Sequence, residues 1–593
     1  MSARTDMTAA ATYRACALAL VGLAGCLSVP DGPTKMCESS EDCDQASGEV
    51  CEESVCWGNP PPGPFAGVVS PPSTRQDLAP RELAEIMIPG DGRLQDIALD
   101  PPVQLTGRIT AFCPAPTAGC DPVISGATVT VSRRSKFQGG PGFKTVVNVD
   151  ADTFSLLVPR TDGGDEPYSI TIVPGGGRQI GTMQPTTQPV PPRRTHASPG
   201  DNMNLGALEL GGADLPVISG ALTNGLGQGL AGYRVAAVGR WDPTEPATEV
   251  SSVALTDSSG GYAITLSAEL VGTVELIARP PGDAVAPTLR VASIDATKSS
   301  QKNVMAPPDL GVPTQLAVHV NGVYRNGSIS PVPGATVSVT AVLTRAPASF
   351  VVSDEQVTDE MGNVALRVLD GADLAGLYRL SVTPPASSSL GVAFEQKVSL
   401  AAAPVTATTI QLASRVALRG KVVDATDEPV GQVAVTARPS LRFLWTLETS
   451  PQAFVAAIPA ATTVTENDGQ FVLWVDPSIA GIWGDYDLVF EAPATSQVPT
   501  YLQTAVEIPP DSTIDSVTLE DTRLPEAAFV HGRIADPLGD SVEGAELKLF
   551  RVTTPLQLCS ELAHAPASCP IPAQLEGRNT SDSDGMVRLA LPR

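Results

Sequence analysis

The sequence predicts an all-β fold, built as a tandem array of five β-sandwiches. Three observations carry that expectation. Apolar and other residues alternate at period two, most clearly between Leu418 and Pro493, which sets one row of side chains on a buried face and the other in water. The runs break at Asp, Gly and Pro, residues that turns need for backbone reasons. One pattern also recurs five times, roughly 100 residues apart, the period of a domain repeat and not of a solenoid unit. Its markers are Gly126, Gly232, Gly334, Gly431 and Gly544, each opening a second strand. A chain of 593 residues is too long for one core. Its 53 Gly, 55 Pro and 4% aromatic content suit short strands and turns better than long helices.

Each copy continues in the same way. A turn containing Gly, Asp or Asn precedes an apolar strand, as in D-G-Q-F-V-L-W-V at 468–475 and D-G-M-V-R-L-A-L at 584–591. Such residues tolerate the backbone that hairpins demand. Four copies then add a closing strand, starting at Tyr168, Val274, Tyr378 and Tyr486 and ending at Pro, which stops a strand by removing a donor. The recurring G-x-V, P-V-x-G-A-x-V-x-V, T-D-x-x-G-x-F-x-L and Y-x-L-x-V pattern resembles the carboxypeptidase regulatory-like domain. It is also similar to bacterial Ig-like domains and carbohydrate-binding-like folds. The resemblance implies five Ig-like or transthyretin-like seven-stranded β-sandwiches and brings no catalytic residues. The third copy departs from it, because its first strand reads L-A-V-H-V-N-G-V-Y. Expected boundaries are 101–212, 213–313, 314–415, 416–526 and 527–593. The fifth copy is incomplete, since its closing strand is missing before Arg593. Either that module is shortened, or its open edge takes a partner's strand.

The start of the chain reads as an export leader over residues 1–25. Arg4 and Arg14 supply a weakly basic start, and Ala15 to Gly25 is an apolar stretch too short to span a bilayer. It runs into L-A-G-C at Leu23 to Cys26, which resembles the lipobox of bacterial lipoproteins. That resemblance implies acylation of Cys26 and an exported chain, lipid-anchored in the outer membrane or at the cell surface. Residues 26–36 would then be a tether.

Eight cysteines follow Cys26. Cys37, Cys43, Cys51 and Cys56 cluster within an acidic stretch, 37–56, with almost no apolar residues. That stretch cannot build a core, so two disulfides are expected to hold it, in a pairing the spacing leaves open. Cys113 with Cys120, and Cys559 with Cys569, are local pairs expected as disulfides that pin loops. Residues 57–100, with P-P-P-G-P and S-P-P-S, are expected as an extended Pro-rich linker, with a short helix over Leu78 to Ile88.

Chemistry is sparse. Lys and Arg total 38 against 64 Asp and Glu, a net charge of -26, which argues against nucleic acid as a partner. The four histidines, His196, His319, His531 and His564, are isolated in sequence. No H-E-x-x-H, G-x-S-x-G or C-x-x-C occurs. Gly227 to Gly232 satisfies G-x-G-x-x-G, but a strand follows where a dinucleotide site needs a helix. Asp582 to Gly585 and Asp162 to Glu166 are acidic turns that do not complete a calcium loop. No catalytic residue, metal or cofactor is expected. The reading is a structural or adhesive multi-domain stalk without catalysis, partnered by the membrane through its lipid and by envelope proteins or glycans. The alternative is a carbohydrate-binding accessory protein. It rests on Trp445 and Trp483, since Trp474 is expected in the core.

Overall fold

The computed structural model describes residues 37–52, 55–112, 126–137, 140–149, 151–163, 165–174, 190–224, 227–242, 247–282, 284–301, 304–305, 313–345, 348–370, 377–385, 388–398, 408–440, 442–443, 446, 460–479, 482–493, 498–509, 516–551 and 573–593. Almost all of the regular structure is strand. The strands form five two-layer sandwiches with one shared topology.

Module one shows the plan. Its strands, in chain order, are Val103–Ala111, Ala127–Arg133, Phe143–Val149, Thr153–Val158, Tyr168–Pro174, Arg193–Ala197 and Met203–Leu210. The third, second, fifth and sixth form one antiparallel sheet. The other sheet places the first strand between the fourth, antiparallel, and the seventh, parallel. The inward rows alternate as the sequence requires: Leu105, Ile109, Val129, Val131, Phe154, Ile170 and Ile172 are all buried.

Two local devices recur and explain the sequence pattern. The marker glycine turns the chain into the second strand with a positive φ, 78° at Gly126, 76° at Gly232, 72° at Gly334 and 75° at Gly544. In the fourth module the left-handed residue is Gln432, at 62°, one position after Gly431. The residue before the acidic residue that opens the hairpin turn (Asp257, Asp359, Glu466 or Asp582) is a buried hydroxyl that clamps this turn. In module four, Thr465 Oγ1 donates to the Val430 carbonyl at 2.9 Å and accepts from the Val433 amide at 2.9 Å. Thr256, Thr358 and Ser581 make the same two bonds in modules two, three and five.

A third device pins the closing strand. Tyr168, Tyr378 and Tyr486 are buried, and each hydroxyl donates to a carbonyl near the end of the fourth strand, at Pro159, Leu369 and Asp476.

Residues 57–100 are not a linker. They carry the strands Phe65–Ser70, Arg81–Ile86 and Ile97–Ala98, and these are the three strands that module five lacks. Phe65–Ser70 pairs antiparallel with Glu546–Arg551, the second strand of module five, from Phe65 opposite Arg551 to Ser70 opposite Glu546. It is the missing closing strand. Arg81–Ile86 pairs with it as the sixth strand, where a short helix was expected. Ile97–Ala98 runs parallel to Ile534–Ala535 as the seventh. Phe65 occupies the place of the closing-strand tyrosines. Arg551 sits 5.9 Å from its ring centroid, as Arg133 sits 4.8 Å from that of Tyr168. Phe65, Val69, Leu78, Leu94, Ile97 and Leu99 share one core with Val530, Ile534, Leu547, Leu549, Leu589 and Leu591. The fifth module is therefore complete, and its edge is filled by the chain's own strand and not by a partner.

The consequence is closure. Module one follows module five across Asp100, and module five follows module four across Glu526, so the five modules form a circuit and not a linear stalk. Contacts run through each junction. The sixth strand of module two, Thr288–Asp295, pairs with the third strand of module three, Ala348–Val357, fusing two sheets into one. Arg134 meets Asp242 at 2.8 Å between modules one and two. Arg578 meets Glu491 at 3.6 Å between modules four and five. Phe137 of module one packs on Phe550 of module five, with ring centroids 5.5 Å apart.

Removing the Phe65 ring should therefore loosen a strand far away in sequence. Phe65→Ala is expected to cost about 3–5 kcal/mol and to raise hydrogen exchange in Glu546–Arg551, read by mass spectrometry. Unchanged exchange there would contradict the shared module.

Candidate functional site

Neither a catalytic cluster nor a ligand cleft is assembled among the described residues, so the sites that matter are the joints. The first is where the cysteine cluster meets module five. Cys37 bonds Cys51 with S–S 2.06 Å, and Cys43 bonds Cys56 with S–S 2.04 Å. The knot is docked, not free. Trp57 lies edge-on to His531 at 4.8 Å and to Phe529 at 6.0 Å between ring centroids. The Gly58 amide donates to the Phe529 carbonyl at 2.9 Å. The buried carboxylate of Glu49 pairs with the Arg593 guanidinium and accepts from the Asp44 amide. Cys43, Glu49 and Cys56 lie close enough together to suggest a metal, but both sulfurs are spent in disulfides and Glu49 is neutralised by Arg593. Cys26, Cys113, Cys120, Cys559 and Cys569 lie outside the described residues.

The second joint links modules three and four. Asp476 follows the fourth strand of module four and is buried. Its Oδ1 accepts from the Val392 amide of module three at 2.9 Å. Arg415, in the connection between the two modules, approaches the same oxygen at 3.7 Å. Desolvation raises the Asp476 pKa, while Arg415 and the Val392 amide pull it back only in part. Nearby, Arg325 of module three lies over the Trp474 ring at 4.3 Å, a contact of the cation–π kind. Trp474 was expected in the core. It instead points outward from its strand, opposite to the buried Phe471, Leu473 and Val475, because alternation places it on the other face.

The remaining candidates are spread over several modules. Trp483 is half-buried in a short hairpin, Ser478–Ile479 against Ile482–Trp483. Trp445 lies outside the described residues. Trp241 packs against the core of modules two and three with Arg194 near its ring. The acidic turns hold their own backbone: Asp582 Oδ1 accepts from the Asp584 and Met586 amides at 3.0 and 2.9 Å. Asp165 pairs with Arg133 at 3.1 Å and Lys136 at 2.8 Å. Burial works against its charge, but Lys136, the Asp162 amide and Arg133 outweigh burial and hold its pKa below the ordinary value. Gly227 to Gly232 is a connection between two strands. His319 Nδ1 lies 2.9 Å from Asn363 Oδ1 across a strand pair, His196 stands opposite Ser169 on a strand, and His564 lies outside the described residues.

No family model matches the chain, and no curated protein matches it. Among solved structures, a streptococcal ancillary pilin is similar over 51% of this chain and 99% of its own, at 10% identity and a TM-score of 0.19. The Bacillus anthracis TIE protein aligns over 70% of this chain and 72% of its own, at 9% identity and a TM-score of 0.16. A calcium-stabilised ice-binding adhesin from an Antarctic bacterium aligns over 68% and 97%, at 13% identity and a TM-score of 0.10. The functional reading below rests on the chain's own geometry.

The Asp476 joint gives a test. Asp476→Ala leaves Arg415 without its buried partner and should cost about 3 kcal/mol or more, read as an earlier denaturation midpoint. The pH dependence has a definite sign. Asp476 has a raised folded-state pKa, so its contribution is full below the unfolded value and is lost as pH rises through the folded one. Relative to Asp476→Asn, the wild type should therefore gain stability as pH falls from neutral through the carboxylate range. A difference that does not change with pH would contradict this placement of the charge.

Proposed function

We propose that this chain is a lipid-anchored, non-catalytic scaffold of the bacterial cell envelope, structural or adhesive in role. The single observation that carries this reading is the way the segment nearest the expected anchor is built into the last module. A lipid on Cys26 would be separated from the knot only by residues 26–36. The knot itself is docked on module five, so the expected tether would lead directly into the closed array. Several acyl chains hold a protein stably, at about 0.8 kcal/mol per buried CH₂. Disulfides in the knot support an oxidising compartment, since cytoplasmic thiols stay reduced. Among the described residues, no helix is long and apolar enough to cross a membrane.

The proposed partners are envelope proteins or glycans met at the module surfaces, and the site of residence is the outer membrane or cell surface. The seven-stranded plan supports the resemblance to carboxypeptidase regulatory-like modules, which bring no catalytic residues. In this reading, function resides in holding five sandwiches in a fixed mutual arrangement beside the membrane.

The test is acylation. In cells expressing the chain with its leader, Cys26→Ala should abolish incorporation of a fatty-acid label and move the folded protein from the membrane pellet to the soluble fraction. A wild-type chain that takes up no label and does not sediment with membranes would overturn the anchor.

A further inference from the structure

We propose that residues 57–100 are an exchangeable strand donor, and that the chain assembles with a second copy of itself when this segment enters the neighbour's last module. Module five draws its strands from two distant parts of the sequence. Its first four strands, Ala527–Ala535, Glu546–Arg551, Gln574–Thr580 and Met586–Pro592, come from one end of the sequence. Its last three come from the other. Without the donor, the second strand would present an unpaired edge along Glu546–Arg551, and Leu547, Leu549 and Val530, all fully buried in the complete module, would face water. Such an edge accepts another strand through main-chain bonds, with side-chain pockets setting the register.

The occupant best fitted to that site is the segment already seen in it. Phe65 and Val69 fill the inward row, with Gly67 between them opposite Leu549, and every copy of the chain carries the same segment. The donor is bound mainly to module five. Within that module its backbone bonds include Leu94 N to His531 O and Leu99 N to Ala535 O. It continues into module one through the short stretch Asp100–Pro101–Pro102, beside the contacts of Phe137 with Phe550 and of the Lys136 amide with Glu82. Rerouting the chain at this one crossing exchanges donors between copies while keeping every strand pair in module five.

The sense of the junctions favours continuation. In four of the five, the fifth- or sixth-strand side of one module meets the second- or third-strand side of the next: Arg194 with Trp241, Thr288–Val291 with Phe350–Ser353, Glu491 with Arg578, and Glu82 with Lys136. This is a head-to-tail arrangement, which closes into a ring when the last unit meets the first and extends into an open assembly when it meets another copy. Order of synthesis adds opportunity. The donor emerges before modules one to four, and its acceptor emerges after them. Through that interval the donor's apolar row waits unpaired, and exchange between neighbours is a characteristic outcome for such multidomain chains.

The test uses two full-length chains with different tags, expressed together. One carries Val68→Cys and the other Lys548→Cys, residues that face each other across the donor strand pair. Donation between copies places one new thiol from each chain in register. A disulfide-linked heterodimer, seen on a non-reducing gel at twice the chain mass and lost on reduction, is the expected result. A single chain carrying both substitutions reports closure within one copy. If that double variant forms its internal link in full while the mixed culture yields no heterodimer above the level given by either single variant alone, exchange does not occur and the proposal is overturned. The readout does not depend on Cys26, so the anchor and the exchange stand or fall separately.

Discussion

Six residues of one strand, Phe65–Ser70, set the arrangement of everything else. Their ladder with Glu546–Arg551 joins the two ends of the sequence in one sandwich. A sheet edge that buries an apolar row cannot be left open in water, because both the unpaired backbone groups and the exposed side chains cost free energy. The chain meets that constraint internally. Once it does, modules one to four must lie on a path that leaves module five and returns to it. The junction contacts, from the fused sheet of modules two and three to the buried Asp476 between three and four, are the local form of that global condition.

The repeating architecture was largely legible in the sequence. Period-two alternation located the strands, and the Thr-Asp-x-x-Gly turns located the hairpins. The structure adds why those letters recur. The hydroxyl clamps the turn into the second strand, and in modules two, three and five the Asp carboxylate caps the backbone of its own loop. At Asp582 the same cap fills with amides an oxygen that the acidic turn would otherwise offer to a cation. In module four the left-handed position falls on Gln432 although Gly431 marks the repeat, so a pattern match located the turn but missed its geometry by one residue.

What was not legible concerns partners distant in sequence. F-A-G-V-V-S at 65–70 lies between Pro-rich runs, and its composition argued for a linker. R-E-L-A-E-I at 81–86 has strong helix formers, yet it is a strand, because pairing with Phe65–Ser70 outweighs local propensity. No local signal tells a strand that its neighbours lie some 480 residues further on, across four modules. One clue was present: the fifth copy lacked a closing strand, and the early Phe65 stretch had no module of its own. Trp474 illustrates the same limit on a smaller scale. Its strand was read correctly, but its face depended on register, and a shift of one position exchanges core for surface.

Closure is the central claim, and overall dimension in solution tests it most directly. Five sandwiches of about 30 Å in a line would reach ~150 Å, whereas a closed circuit of the same five should span only about 80–100 Å. Small-angle X-ray scattering on the monomeric fraction of the soluble chain should give a maximum dimension in the lower range, and Phe65→Ala should move it upward. A wild-type monomer already extended to about 150 Å would show that the two ends do not meet, and would contradict the account.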